Sequence, residues 1–329
     1  MRKYSIVIIL LISTSLSGTA QSRVVGAIGF YNVENLFDLV DDPDKNDDEF
    51  TPEGDNEWDR ERLDSKLTNI SRVISEMARG VDILGLSEVE SLAVLTELVA
   101  MPSLQRHNYQ IVHQESPDWR GIDCALLYKP DRFQLLDFQA IPFPDEDYTT
   151  RDILHVEGIY FGDTLHVFVN HWPSRRGGKA DKRNAAAERL RQEVDELLAE
   201  NDQAKIIIMG DLNDDPNNKS VKKILRAVDF DKVEEDDLYN PSAAVFKQGL
   251  GTLYYNGAWN LFDQIIVSQG LMEGAEGVTY QPESFSIFGP PWMRNQTGQF
   301  AGGPFRSFSY GVYQNGFSDH FPTYILLQK

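Results

Sequence analysis

The apolar and polar positions of this chain follow two alternating patterns. Continuous apolar runs at residues 24–33 and 81–89 predict buried strands, whereas apolar residues recur at helical spacing over 60–79 and 182–200. Strands alternating with amphipathic helices are typical of an α/β fold built around a packed sheet. Further strands are predicted at 109–113, 122–128, 133–141, 153–161, 164–170, 205–209, 261–267 and 321–327, and a short helix that Ser91 caps is predicted to end at Ala100.

Two long stretches lack either periodicity. Residues 38–59 are polar and strongly acidic, and residues 281–318 are rich in Gly, Pro and aromatic side chains, so both are predicted to be loops. Neither resembles a linker between domains, and no internal repeat is present. We therefore expect one domain over residues 21–329.

The first 20 residues have the three-part layout of a secretory signal peptide. A basic start, Met1-Arg2-Lys3, precedes an apolar run at 4–12 and small or hydroxyl residues at 13–20. The apolar run is too short to span a bilayer as a stable helix. We expect cleavage after Ala20, export to the periplasm or the medium, and no stable membrane anchor. The sequence indicates no protein partner.

Composition narrows the class of protein. The chain has 329 residues, of which 41% are hydrophobic, so a sizeable core is expected and wholesale disorder is excluded. Its 31 basic and 51 acidic residues give a net charge of −20, which argues against a protein that grips a polyanion with its whole surface. The single cysteine, Cys124, excludes an intrachain disulfide and a thiolate-rich metal site, and we expect it to be buried.

Polar and titratable residues collect at the ends of predicted strands. Burying an unpaired charge beside an apolar run is costly, so packing alone does not explain carboxylates there. A lone strand-end aspartate is often a turn former, and Asp214-Asp215-Pro216 is interpreted that way. The evidence for chemistry is the coincidence of five segments: FYNVEN (30–35), LGLSEV (84–89), VNHWPSRR (169–176), MGDLND (209–214) and FSDHF (317–321).

Strands lying side by side would bring the oxygen-bearing side chains of these segments together. Such an acid-rich set suits a hard cation such as Mg²⁺ better than zinc. His171 and His320 would add proton donors or phosphate-binding groups. The oxygen-bearing residues are Asn32, Glu34, Glu88, Asp211, Asn213 and Asp319.

These segments, in this order, resemble the endonuclease/exonuclease/phosphatase superfamily, which includes pancreatic-type deoxyribonuclease and abasic-site endonucleases. GDLN (210–213), SDH (318–320) and NHWPS (170–174) are the most specific signatures, and the likeness extends over residues 28–327. NVENLF (32–37) and RGID (120–123) are closest to secreted bacterial members. The resemblance implies a four-layer α/β/β/α sandwich, with two packed mixed sheets flanked by helices.

The resemblance also implies roles for single residues. Asp211 would position or deprotonate the attacking water, with Asn213 orienting water and phosphate. His320, oriented by Asp263, would bond the phosphoryl oxygens, and His171 would stabilise charge or protonate the leaving oxygen. Asn32, Glu34, Glu88 and Asp319 would form the site for Mg²⁺, with Mn²⁺ as an alternative, and Arg120 is favoured as a phosphate contact.

Three further features bear on substrate and ions. Arg175 and Arg176 begin a basic run that would contact a phosphate backbone or simply form a solvated helix start. Aromatic residues interleaved with arginine in 281–318 would stack on bases or pack the loop down. The acidic loop, residues 38–59, has carboxylates at some EF-hand positions but lacks the required glycine; an irregular structural Ca²⁺ site and a solvated loop remain alternatives.

These observations predict a secreted, divalent-metal-dependent phosphodiesterase, with a nuclease acting on DNA or RNA as the leading hypothesis. The first alternative is a phosphatase or phospholipase-type hydrolase that acts on small phosphate esters or lipid headgroups. The second is a catalytically inactive binding module on the same scaffold. The sequence distinguishes neither DNA from RNA nor endo from exo action, and it specifies neither metal count nor oligomeric state.

Overall fold

The computed structural model describes residues 23–145, 148–234, 236–255, 257–272 and 274–329, and the predicted leader lies outside these ranges. No helix within them is long and apolar enough to cross a membrane. The helices are α1 (Arg60–Glu76), α2 (Leu92–Val99), α3 (Ala180–Glu200) and α4 (Ser242–Lys247). The strands of the first half are β1 (Val24–Leu36), β2 (Ile83–Val89), β3 (Gln110–His113), β4 (Asp123–Tyr128), β5 (Phe133–Ile141), β6 (Ile153–Tyr160), β7 (Asp163–His171) and β8 (Lys205–Asp211). Those of the second half are β9 (Ala227–Val228), β10 (Leu238–Tyr239), β11 (Leu253–Tyr255), β12 (Ala258–Asn260), β13 (Asp263–Val267), β14 (Thr279–Tyr280), β15 (Ser286–Ile287), β16 (Phe308–Ser309), β17 (Val312–Tyr313) and β18 (Thr323–Gln328).

The strands form two large sheets, each with parallel and antiparallel neighbours. The first sheet has the order β14-β18-β1-β2-β4-β3, with β15 also paired to β18, and its β1 and β2 are parallel. The second has the order β5-β6-β7-β8-β13-β10-β9, in which β7 and β8 are parallel and β8 and β13 antiparallel. Two hairpins, β11-β12 and β16-β17, stand outside them.

Three apolar clusters separate four layers. One fills the space between the sheets and includes Phe30 of β1 and Met209 of β8. A second lies between the first sheet and the helices α1 and α2, and a third between the second sheet and α3. The chain therefore has the four-layer α/β/β/α architecture expected from the sequence.

Most predicted elements are present, with shifted ends. The strands β1, β7 and β8 run on to Leu36, His171 and Asp211, so polar residues expected just beyond the strands belong to them. The helix predicted over 60–79 ends at Glu76 and is followed by a 3₁₀ turn, Met77–Arg79, because Ala78 adopts a left-handed conformation (φ 47°). The loop 281–318 contains short strand pairs, and Cys124 is buried as expected.

Candidate active site

Because side chains alternate along each strand, several polar residues lie together at one end of the space between the sheets. Along β8, Ile207 and Met209 point into the inter-sheet core, and Asp211 is the next residue on that face. In β1, Phe30 precedes Asn32 in the same way. His171 follows Val169 in β7, and Asp263 precedes Ile265 in β13; both are paired with Asp211 in the ladders.

Backbone irregularities turn two further carboxylates toward this cleft. Glu88 is an extra residue between the β2–β4 pairs of Ser87 and Val89, and its φ is 62°. The β1–β2 register shifts after Asn32, where Glu34 and Asn35 have φ values of 52° and 55°. Left-handed backbone is unfavourable for a glutamate, and such residues gather at functional sites.

Asp211 is the point on which the cleft converges. Its Oδ2 accepts a hydrogen bond from Asn32 Nδ2 (3.0 Å) and lies 3.7 Å from His171 Nε2 and 3.8 Å from His320 Nε2. Burial raises the pKa of Asp211 to about 7, although the nearby positive charge of His320 opposes the rise. Asn213 N donates to the other carboxyl oxygen, Oδ1 (2.9 Å). The carboxyl is thus held ready to accept a proton near neutral pH.

The two histidines of the cleft have pKa values shifted in opposite directions. Burial disfavours the charged form of His320, but Asp263 and Asp211 outweigh it and raise its pKa well above the usual value. His320 Nδ1 donates to Asp263 Oδ2 (2.7 Å), which also accepts from the hydroxyl of Thr252. Burial lowers the pKa of His171, and the charges of Arg151 and Arg120 lower it further. These shifts favour the charged form of His320 and the neutral form of His171.

Glu88 lies beside Asn32 and is more exposed than Asp211. Glu88 Oε1 accepts from Asn32 Nδ2 (3.2 Å) and lies 3.8 Å from His171 Nε2, while Oε2 accepts from Asn35 N (3.0 Å). The Glu88 side chain keeps 14% of its surface exposed, against 2% for Asp211. Glu88 is therefore reachable from solvent.

Glu34 lies deeper and is tied to a lysine. Lys66 of α1 is 1% exposed; its Nζ donates to Ser307 Oγ (2.5 Å) and lies 3.9 Å from Glu34 Oε2. Ser307 N donates to the same Glu34 oxygen (2.6 Å). Burial and then the charge of Asp319 raise the pKa of Glu34 to about 7. Glu34 therefore joins the strand end to the loop that leads to Asp319.

Asp319 and Asn213 flank the cleft. Asp319 Oδ2 accepts from Arg306 Nη2 (2.6 Å), and its Oδ1 lies 3.9 Å from His320 Nε2. Burial opposes ionisation of Asp319, but His320 and then Arg306 lower its pKa. Asn213, with φ 49°, donates from Nδ2 to the Trp172 carbonyl (3.0 Å), which fixes the chain beyond Asp211 against the strand end at His171.

The three predicted arginine contacts are placed differently. The Arg120 guanidinium donates to Asn35 Oδ1 beside Glu88, at the rim of the cleft. Arg175 instead holds the turn after Asn213, donating to the Asn213 carbonyl (2.9 Å) and Asp215 Oδ2 (3.0 Å). Arg176 is exposed. The sequence predicted Asp214 and Asp215 only as turn residues, and it did not predict their ion pairs with Arg175.

Sequence reasoning assigned no role to several residues that support the cleft. Lys66 shares the apolar face of α1 with Leu63 and Leu67. Lysine is rarely buried without a partner, so its position in the sequence indicates a buried partner. Thr252 gave no such signal, because its contact with Asp263 depends on a hairpin that has no clear sequence pattern.

The side chains present suit a divalent cation. Five carboxylates, of Glu34, Glu88, Asp211, Asp263 and Asp319, line the cleft together with the positive charges of Lys66, Arg306 and His320, and the charges of Arg120 and Arg151 also act on the cleft at His171. Asp211, Asp263 and His320 offer ligand atoms within 4.8 Å of one another. The Asp263–His320 hydrogen bond already uses an oxygen and a ring nitrogen of this group, whereas the part-exposed carboxylates of Glu88 and Asp319 are open to solvent.

A four-layer sandwich with an acid–histidine cleft at the end of its sheets defines a class of phosphoric ester hydrolases. The chain belongs to the Endonuclease/Exonuclease/phosphatase family, whose family model matches residues 27–329. Members of this family depend on divalent metal ions. No curated protein matches the chain.

Solved structures share the fold at low sequence identity. TDP2 from D. rerio, complexed with a single-strand DNA product, is 15% identical with a TM-score of 0.58, over 92% of this chain and 98% of that one. The human Nocturnin catalytic domain with bound sulfate is 18% identical with a TM-score of 0.54, covering 93% and 97%. A mannosyl-6-phosphatase from Bacteroides thetaiotaomicron is 15% identical with a TM-score of 0.56, covering 92% and 99%. One of these structures holds a DNA product and another is a mannosyl-6-phosphatase, so the shared fold alone does not select the substrate.

Proposed function

We propose that this protein is a Mg²⁺-dependent phosphodiesterase that cleaves nucleic acid by direct attack of water. The observation that carries the proposal is the convergence of Asn32, His171 and His320 on one oxygen of Asp211. The distances from this oxygen to His171 Nε2 (3.7 Å) and His320 Nε2 (3.8 Å) are too long for hydrogen bonds, and a water or phosphate oxygen would bridge them.

The residues divide the work of hydrolysis by charge state. Asp211 accepts the proton of the attacking water, for which its raised pKa makes it a stronger base. The imidazolium of His320 donates from Nε2 to a phosphoryl oxygen and stabilises the charge that develops there, while Asp263 holds its ring. His171, a neutral imidazole, orients water or the leaving oxygen through Nε2.

Glu88 and Asn32 would hold the cation, with Glu34 and Asp319 nearby. When bound, the cation supplies Lewis-acid stabilisation of charge on the phosphate oxygens. Mg²⁺ fits the all-oxygen donors, and Mn²⁺ has similar preferences.

A polymeric substrate is supported by the rim of the cleft. Trp119 is 55% exposed and directly precedes Arg120, whose guanidinium contacts Asn35 beside Glu88, so an exposed aromatic ring and a guanidinium come from adjacent residues near the cleft. Such pairs stack on bases and bind phosphate in single-stranded nucleic acids. The D. rerio TDP2 structure with a DNA product is consistent with this proposal.

One observation favours a small phosphate ester as the second candidate. In the basic run that begins at Arg175, Arg183 pairs with Asp214 (2.9 Å), Arg175 with Asp215 (3.0 Å) and Lys182 with Asp145. Neutralised in this way, the run offers less positive potential to a polyanion. The mannosyl-6-phosphatase with the same fold is consistent with this candidate.

Initial rates on single-stranded DNA, RNA, a sugar monophosphate and a lipid phosphodiester separate these functions. With Mg²⁺ we expect cleavage of a nucleic acid at least ~10²-fold faster than of the monoester, and loss of all activity in EDTA. Hydrolysis of the monoester alone would exclude the phosphodiesterase and favour the second candidate. No hydrolysis of any ester would show an inactive binding module.

Glu88→Gln tests the cation site directly. We expect it to require at least ~10-fold more Mg²⁺ for half-maximal rate, because an anionic ligand becomes a neutral one. Glu196→Gln, on the exposed face of α3, is the matched control and should leave the Mg²⁺ dependence unchanged. An identical Mg²⁺ dependence in both variants would place the cation elsewhere.

The leader of residues 1–20 supports export as part of the same proposal. Expression of the full chain in a bacterial host, followed by N-terminal sequencing of the periplasmic fraction, tests it. A mature protein that begins at Gln21 is expected, and an uncut cytoplasmic protein would contradict it.

A further inference from the structure

The last part of the loop 281–318 forms a hairpin whose base lies beside the cleft. Within this hairpin, residues 305–317, Phe317 N donates to the Phe305 carbonyl (2.6 Å), and β16 and β17 pair beyond that bond. Asp319 and His320 follow shortly after its last residue. The position of the hairpin base therefore decides where these two cleft residues lie.

Lys66 reaches the hairpin base from α1. Its Nζ donates to Ser307 Oγ (2.5 Å) on the incoming side of the hairpin and to the Phe317 carbonyl (2.9 Å) on the outgoing side. The Lys66 side chain is only 1% exposed, so it cannot meet a substrate directly. One buried nitrogen therefore joins the two sides of the base.

Packing does not explain a lysine at this position. The same face of α1 buries Leu63, Leu67 and Ile70, and an apolar side chain of equal length would fill the space without the cost of burying a polar group. An ion pair is not the main contact either, because Lys66 Nζ lies 3.9 Å from Glu34 Oε2, beyond hydrogen-bond distance. The two hydrogen bonds to the hairpin are what this side chain contributes.

The clamped hairpin base is bonded in turn to the cleft. On the incoming side, Ser307 N donates to Glu34 Oε2 (2.6 Å). On the outgoing side, Ser318 Oγ donates to the Asn32 carbonyl (2.7 Å) and accepts from His320 N (3.0 Å). A shift of the base would therefore move Glu34 on one side and His320 on the other.

We propose that Lys66 is a positioning residue, which clamps the hairpin base and thereby fixes Glu34 and His320 relative to each other. The clamp needs only two N–H donors on Nζ, and both the ammonium and the neutral amine of a lysine offer them. Its geometric effect therefore does not depend on the protonation of Lys66. Its effect on rate rests on the proposed phosphodiesterase function.

A second anchor of the same hairpin supplies a matched control. Asn69, on the next turn of α1, donates from Nδ2 to the Gly316 carbonyl (2.9 Å) and to the Asn315 carbonyl (3.2 Å). Asn69→Ala therefore removes a hydrogen-bonded contact between α1 and the hairpin but leaves the Lys66 clamp in place. It separates a general loosening of the hairpin from the loss of the clamp.

Hydrolysis of bis(p-nitrophenyl) phosphate in Mg²⁺ measures the effect on rate. Lys66→Met keeps the length of the side chain but has no donor, and we expect its kcat to fall about 10–100-fold, as for other residues that orient a site from behind. KM should stay unchanged, because Lys66 is buried away from the substrate, and Asn69→Ala should keep the wild-type kcat. An unchanged kcat in Lys66→Met, equal losses in the two variants, or a loss confined to KM would each overturn the proposal.

The imidazole resonances of His320 give a measurement that needs neither substrate nor cation. In ¹⁵N-histidine-labelled protein, with these resonances assigned from their absence in His320→Gln, they should shift or broaden in Lys66→Met and stay in place in Asn69→Ala. The reason is that only Lys66→Met releases the turn that holds His320 against Asp263. Unchanged resonances in Lys66→Met would exclude the clamp.

The two measurements also distinguish failure of this proposal from failure of the proposed function. A wild-type protein that hydrolyses no phosphate ester would overturn the function, while the His320 resonances would still test the clamp. If Lys66→Met does not fold, Ser307→Ala removes the acceptor of one clamp bond and keeps the backbone N–H that Glu34 accepts from. Unchanged His320 resonances in Ser307→Ala would equally contradict the proposal.

Discussion

The space between the two sheets has an apolar body and a polar end, and the same strands build both. Val169 and Met209 lie in the body, two residues before His171 and Asp211 at the end. Burial acts oppositely on the two regions. In the body it removes apolar surface from water and stabilises the fold. At the end it raises the pKa of Asp211 to about 7 and lowers that of His171.

The difference shows which region supplies stability and which supplies chemistry. Desolvated carboxylates and glutamates with a left-handed backbone make the polar end costly to fold. Its geometry persists because the packed apolar body holds the same strands in position. Substitutions at the end should therefore change rates with little loss of stability. Substitutions in the body should do the reverse.

Asp211→Asn is the strongest test of the polar end. We expect kcat to fall about 10³-fold, because the amide cannot accept the proton of the attacking water. The free energy of unfolding should stay equal or rise, since a desolvated carboxylate is removed. Rate measurements and urea unfolding check both expectations. Asp131→Asn, at an exposed position, is the control, and a loss of less than tenfold in Asp211→Asn would remove Asp211 as the base.

Asp263→Asn should have the next largest effect, about 10²-fold on kcat. The variant loses the carboxylate that hydrogen-bonds His320 and acts most strongly on it, while Asp211 and Asp319 remain, so the pKa of His320 should fall toward its usual value. Because His320 acts as the charged donor, the rate should decline on the alkaline side, and this decline should begin at lower pH in the variant. A pH profile of kcat measures the shift. The same alkaline limb in both proteins would contradict the role of His320.

The strand-end argument succeeded where geometry follows from local pattern. Two-residue alternation and the order of the strands are enough to bring Asn32, His171 and Asp211 to one place. Sequence alone could not give the left-handed conformations of Glu34 and Glu88, because the register shifts that cause them arise from pairing with neighbouring strands. These two residues reach the cleft because the register shifts bend the backbone there.

The basic run shows the opposite limit. Its residues are close in sequence and suggest one positive surface. In the structure, however, Arg175 and Arg183 form ion pairs with Asp214 and Asp215. These aspartates follow α3 and β8 in the chain and reach the arginines only through the fold. Pairing between residues about 40 positions apart is invisible to a count of local charge. Lys66 was more accessible to prediction, since a lysine on an apolar helix face requires a partner.

A conservative substitution in the apolar body should lower the stability slightly and leave the rate unchanged. Ile265→Val lies on β13, two residues from Asp263 and on the same face. We expect a loss of about 0.5–1.5 kcal/mol in the free energy of unfolding, typical of one buried methylene. The kcat should stay within twofold of wild type, about the scatter of such measurements. A fall in kcat comparable to that of Asp263→Asn would show that the body and the polar end are not separable.

Arg176→Ala should have the smallest effect, confined to substrate affinity. Because Arg176 is exposed, its removal should leave Tm and kcat unchanged. It should raise KM for a nucleic acid modestly. If Arg176 contacts one phosphate, the slope of log(1/KM) against log salt should also fall by about 1. Arg175→Ala should differ: its guanidinium holds the Asn213 carbonyl and Asp215, so kcat and Tm should fall together. An unchanged salt slope in Arg176→Ala, measured on a substrate that the wild type cleaves, would show that Arg176 contacts no phosphate. The loss of a cationic group that binds a phosphate must reduce this slope.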